Sequence, residues 1–155
     1  MVYRSAPYDL PAKNGWYDIP LTGGNSNLAN IDHNTLSSPE KITVGVSGRY
    51  LITYVINFRR QTSPHHGVAR LVLNSVTEIT GSYSITGVFI EANYPGRLMG
   101  HAIVSLNAND YISVQAGTNL NVTNEIDLYS GPDLPVPQTP VTASVVLNRL
   151  GPASF

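Results

Sequence analysis

Few side chains in this sequence are equipped for chemistry, so they can be weighed one by one. His65 and His66 are adjacent within the segment Thr62–Gly67. Neighbouring strand residues point to opposite faces and a loop pair has no fixed geometry, so a solvated loop tip is the expected role ahead of metal ligation. His101 falls in a run with strand alternation, where a packed or water-bonded imidazole is the simplest role. Asn107, Asn109 and Asp110 gather oxygen-bearing side chains as a calcium loop does, but only one is a carboxylate, where such loops use several. A hairpin turn accounts for these three without an ion.

Catalytic arrangements are scarce. No serine sits in a Gly-x-Ser-x-Gly elbow. Asp110, Glu125 and Asp127 all lie near turns or loops and form no recognisable acid–base pair. A glycine-rich phosphate loop needs a helix after it, and none is evident. Asn121-Val122-Thr123 matches a glycosylation sequon, read as chance in a chain with no signal peptide. The expectation is a protein that is not an enzyme, with no catalytic residue, no metal and no cofactor.

The elements that would position any site are strands. Ile42, Val44, Val46, Gly48, Tyr50, Ile52, Tyr54, Ile56 and Phe58 occupy every second position. Successive strand side chains alternate between faces, so this run buries one almost wholly apolar face, with Gly48 marking a bend between two strands. The opposite face carries Leu51, Thr53 and Val55, which are small or apolar, so a second sheet or another subunit is expected to cover it. Further strands are predicted at about 15–21, 28–32, 40–46, 68–79, 83–92, 97–106, 110–116 and 142–149, separated by turn residues such as Gly23-Gly24-Asn25, Pro95-Gly96 and Asn109-Asp110. Eight or nine short strands at this spacing imply an all-β, antiparallel two-sheet sandwich of jelly-roll or Greek-key type.

Length and composition agree. One domain of 155 residues buries about 70% of its unfolded surface and needs no staple. There is no cysteine, so disulfides and thiol chemistry are excluded. The net charge is −1 and only 12% of residues are charged. That leaves no basic stripe for nucleic acid, and it falls well below the usual figure of about 25%, as if much of the surface were covered by contacts. No run reaches the roughly 20 apolar residues of a membrane helix. Residues 1–13 lack the apolar segment of a signal peptide, so a complete protein made in the cytoplasm is the first reading and a domain cut from its stalk the second.

The expected organisation is an extended arm over 1–14, a sandwich domain over 15–150 and a short tail over 151–155. The arm carries Tyr3, Tyr8 and Leu10 without strand or helix period, so it is either a frayed terminus or a segment laid across a neighbour. Residues 131–140 read as a polyproline-like loop. Tyrosine is frequent, with nine copies against three Phe and one Trp. Tyr3, Tyr8, Tyr17, Tyr94 and Tyr129 suit either interfaces or an ordinary sandwich rim.

Three stretches carry a family resemblance. Ser47-Gly48-Arg49-Tyr50-Leu51-Ile52, followed by Phe58, resembles the Gly-x-Tyr-Leu-Ile strand of tumour necrosis factor-like domains. Leu106-Asn107-Ala108-Asn109-Asp110-Tyr111-Ile112-Ser113-Val114 is similar to their Leu-x-x-Gly-Asp-x-Leu-x-Val hairpin. Ala143-Ser144-Val145-Val146-Leu147 resembles their terminal strand, also found in complement globular heads. Asn109 stands where the family has glycine, Ala143 where it has an aromatic, and residues 1–155 include no collagen-like or membrane-spanning stalk. The resemblance implies a ten-strand jelly roll assembled as a homotrimer, with Leu51, Thr53, Met99, Ile103 and Val146 lining the three-fold axis. Three copies of His101 near that axis could bind an ion or titrate together.

The functional expectation is a trimeric decoration protein on the capsid of a tailed bacteriophage, made in the host cytoplasm and located on the virion. Its partners would be the major capsid protein and neighbouring decoration trimers, reached through Tyr3, Tyr8 and Leu10, with neither nucleic acid nor membrane among them. The alternative is a receptor- or glycan-binding tip of a phage or bacterial surface fibre, using the loops 59–67 and 119–140. A secreted cytokine-like ligand is a third reading, disfavoured by the missing signal or anchor.

Overall fold

The computed structural model describes residues 1–10, 15–24, 27–28, 30–60, 66–87, 95–118, 126–128 and 141–152. In chain order the strands are β1 (Val2–Arg4), β2 (Tyr8–Asp9), β3 (Tyr17–Asp18), β4 (Gly23–Gly24), β5 (Asn27–Leu28), β6 (Ile31–Asp32), β7 (Ile42–Val44) and β8 (Gly48–Arg60). They continue with β9 (Gly67–Leu73), β10 (Thr77–Glu78), β11 (Ser84–Ile85), β12 (Pro95–Leu106), β13 (Tyr111–Thr118), β14 (Ile126–Leu128) and β15 (Ala143–Gly151). Among the described residues there is no helix, and every pairing is antiparallel. The architecture is an all-β sandwich of two sheets.

In the first sheet β12, β8, β15, β1 and β4 lie side by side, while β14 pairs with the end of β8 and carries β2. In the second the order is β10, β9, β13, β7, β6, β5, with β11 also on β9 and β3 also on β13. β7 and β8 belong to different sheets, so the chain crosses the sandwich at Gly45–Ser47 and β8 opens at Gly48. Parity survives that crossing: Ile42, Val44, Tyr50, Ile52, Tyr54, Ile56 and Phe58 are each no more than 1% exposed. β9, β12, β13 and β15 meet them from the remaining sides with Ala69, Leu71, Leu98, Leu106, Ile112, Val114 and Val145.

Some elements differ from the sequence reading. The predicted strand over 68–79 is two, because Asn74 and Ser75 adopt φ of 51° and 60° and turn the chain between β9 and β10. The predicted strand over 28–32 is the hairpin β5–β6, which reverses next to Asn30 at φ 69°. Of the strand predicted over 83–92, the described part is β11.

The first ten residues do not lie off the sandwich as an arm. β1 pairs with β15 on one edge and with β4 on the other, with Val2 opposite Val145. Val2 and Leu10 are 2% and 3% exposed. Leu10 is therefore a core residue, not a side chain offered to a neighbour. Thr142 fastens the junction: its amide donates to the Arg4 carbonyl at 2.7 Å and its hydroxyl to the Ala6 carbonyl at 3.1 Å. A three-residue strand shows no period of its own, and its partner lies at the far end of the sequence, so nothing local announces the pairing.

Candidate functional site

The outer face of the first sheet carries the exposed apolar side chains Met99 and Ile103. With even-numbered residues of β8 and β12 turned to the core, the odd-numbered ones stand outside. On β15 the parity is reversed: Ala143 and Val145 are buried, and Ser144, Val146 and Asn148 face out. Directly opposed side chains sit about 4.5–5.5 Å apart at Cβ, so the registers show which residues touch. Met99 faces Val55, which faces Ser144, which faces Tyr3 on β1. His101 faces Thr53, which faces Val146. Ile103 faces Leu51, which faces Asn148.

Leu51, Thr53, Met99, Ile103 and Val146 thus share one face, over three adjacent strands. Met99 and Ile103 are 64% and 57% exposed. Leu51, Thr53, Val55 and Val146 are half-buried between them. Polar residues border the patch: the Arg97 Nε donates to Asn57 Oδ1 at 3.2 Å at one end, and Arg49 faces Ser105 at the other. Apolar side chains thus dominate a face whose middle row also carries His101 and Thr53 and whose ends are polar, an arrangement found at protein interfaces. Val55 was already legible on this face with Leu51 and Thr53 from its odd parity, whereas Tyr3 joins it without having been singled out for it, because its place depends on how β1 docks on β15.

Beneath this face β12 and β8 are held at close quarters by Gly100, opposite Tyr54. A Cβ at Gly100 would collide with the Tyr54 phenol. That buried hydroxyl donates to the Ser82 carbonyl at 2.6 Å, with the Ala69 carbonyl at 3.1 Å sharing it, which ties the first sheet to the second. Burial pushes the Tyr54 phenol above its usual pKa of 10.0, against a smaller pull downwards from the Ser84 hydroxyl. At the N-terminus the Arg4 guanidinium lies 5.0 Å from the centroid of the Tyr8 ring. Burial lowers Arg4 from its usual value and raises Tyr8, and their mutual attraction offsets part of each shift. Tyr8 is accordingly engaged within its own chain, and Tyr3 lies with its ring over Gly23.

The other candidates resolve individually. His101 stands exposed on the apolar face, opposite Thr53. The His66 Nδ1 lies 2.8 Å from the Thr86 carbonyl. Asn109 takes φ 73°, and Asp110 accepts from the Asn107 amide at 2.8 Å and from the Asn74 side chain at 2.9 Å, so this trio builds the β12–β13 turn. Among the described residues no three His, Cys, Asp or Glu side chains gather to hold a metal ion. His65, Tyr94, Tyr129, Glu125, the sequon 121–123, the segment 131–140 and most of the loops 59–67 and 119–140 lie outside the described residues. No protein-family model matches the chain, and no curated protein matches it in sequence.

Proposed function

We propose that this chain is a non-enzymatic structural protein that forms a homotrimer and decorates the capsid of a tailed bacteriophage, reinforcing the shell. The observation that carries the reading is the apolar face of β12, β8 and β15, bordered by polar residues and uncovered in the single chain. Strand order supports a jelly roll: β1, β8, β12 and β15 lie in one sheet, β7, β9 and β13 in the other, and the long strands alternate between them along the chain. A closed three-fold ring buries such a face against a different patch of the next subunit and needs no self-complementary surface. Trimers also match the local three-fold positions of an icosahedral shell. The step from trimer to capsid is analogy from fold and composition. The major capsid protein and adjacent decoration trimers are the proposed partners.

Light scattering tests the assembly. A mass three times the 16.7 kDa of one chain is expected at micromolar concentration, and a monomer would remove the basis of the proposal. Immunogold labelling of virions from the source that encodes the chain tests the location. Gold spread over the capsid is expected; gold confined to fibre tips selects the receptor-binding alternative, and bare virions reject both.

A further inference from the structure

The second sheet carries a hollow at the end where β6 turns into β7. Asp32 faces Thr43 across these strands, and Ile31 faces Val44. Val44 is in the core, so Asp32 and Thr43 stand on the outer side, and Lys41 shares their parity. β13 extends the row, with Tyr111 opposite Thr43 and the Lys41 Nζ 4.8 Å from the centroid of its ring. The connecting loop curls over this row to leave a cavity of about 250 Å³, lined by Asp32, Asn34, Ser37, Ser38, Lys41 and Thr43. Internal hydrogen bonds hold the loop in shape. Asn34 Oδ1 accepts from the amides of Leu36 at 2.9 Å and Ser37 at 3.0 Å, and the Lys41 amide donates to the Ser38 carbonyl at 3.0 Å. The buried His33 Nε2 lies 3.1 Å from the Pro39 carbonyl. A hollow already in its final shape loses little entropy on binding.

Every lining side chain is polar. Among the described residues neither Asp32 nor Lys41 enters an ion pair, so a carboxylate and an ammonium flank one cavity without neutralising each other. A charged ligand attracted by one is repelled by the other. A divalent cation needs several carboxylates or carbonyls, and a phosphate is best met by guanidinium forks or several cations. A neutral ligand rich in hydroxyl groups suits both ends. Its hydroxyls donate to Asp32 and accept from Lys41 and from the Asn34 amide nitrogen, while Ser37, Ser38 and Thr43 work in either sense. The Lys41 stem gives an apolar edge for C–H groups. We propose that this cavity binds one residue of a neutral saccharide. Its volume lies below the about 300–1,000 Å³ of pockets for drug-sized molecules, which suits a single sugar ring with the rest of a glycan outside. The site belongs to the sheet opposite the apolar face and rests on neither the trimer nor the capsid reading.

Saturation-transfer difference NMR on the full chain tests it, with galactose, glucose, mannose and N-acetylglucosamine as probes. Glucose 6-phosphate and N-acetylneuraminic acid serve as charged controls. At least one neutral sugar is expected to receive saturation, more strongly than either control. Asp32→Asn and Lys41→Met are each expected to weaken its affinity about ten-fold or more, because a charge-assisted hydrogen bond is lost. Asp32 is exposed and Lys41→Met keeps its stem over Tyr111, so thermal unfolding should stay put; should one variant fail to fold, the other carries the comparison. The proposal is overturned if no neutral sugar receives saturation, if the folded variants bind as the parent does, or if the charged controls bind best.

Discussion

Tyr54 allows the sandwich to be tested at one atom. Tyr54→Phe deletes a hydroxyl that has no exposure and bridges two carbonyls, Ser82 at 2.6 Å and Ala69 at 3.1 Å. The ring stays, so no large cavity opens. What is lost is one buried donor, and what remains is a pair of carbonyls stripped of it, a cost of about 1–3 kcal/mol. Tyr54→Ala also removes the ring, which costs about 3–5 kcal/mol in a core that cannot collapse onto the gap. Urea denaturation at fixed protein concentration measures both, the fixed concentration being needed because assembly itself adds stability. The pH dependence gives a second, independent readout. Burial raises the phenol's pKa in the folded state, so above pH 10.0 the unfolded chain releases a proton that the folded chain keeps. Tyr54 therefore contributes stability that is intact below pH 10.0 and is lost as the pH climbs through the folded value. Part of the parent's alkaline decline should vanish in Tyr54→Phe. Equal stability of parent and Tyr54→Phe at pH 7, with identical decline above pH 10, would refute the bridge between the sheets.

Three further perturbations follow from particular residues. Leu51→Asp sets a carboxylate in the middle of the apolar face, where desolvated charge is costly, and should convert trimer to monomer in light scattering while leaving the secondary structure intact; a persisting trimer rejects that face as the interface. Deleting residues 1–10 removes Val2 and Leu10 from the core and strips β15 of one of its two neighbours, so the melting temperature should fall, by on the order of 2–4 °C for each kcal/mol lost; an unchanged melt would show that β1 contributes nothing. Asn109→Val places a branched side chain at φ 73° and should cost about 1–2 kcal/mol, whereas Asn109→Gly should be neutral or stabilising; equal melting of the two variants would contradict the turn geometry.

The core of this protein was legible in the sequence because strand alternation is a local property. Within Ile42–Val44 and from Gly48 to Phe58 each residue faces inward or outward by its parity alone, and no distant partner has to be known, while Val46, read with the buried face, is only half-buried where the chain crosses between the sheets. Asn109 was readable as a turn for the same reason, since a left-handed backbone favours Asn or Gly wherever it occurs. The outward side of β8 could likewise be read, but not what lies beside it. The gathering of Leu51, Thr53, Met99, Ile103 and Val146 on one surface required the registers of β12 and β15 against β8, set by contacts between segments far apart in the chain. The saccharide cavity is more remote still. Asp32 and Lys41 are unremarkable polar residues in the sequence, and they share a cavity only because the β6–β7 loop folds over the row that ends at Tyr111. Val2–Arg4 shows the limit most plainly: three residues carry no period, and what makes them a strand is the edge of β15, whose residues lie at the opposite end of the chain. Local alternation decided which side chains are buried, and long-range strand pairing decided which exposed ones meet.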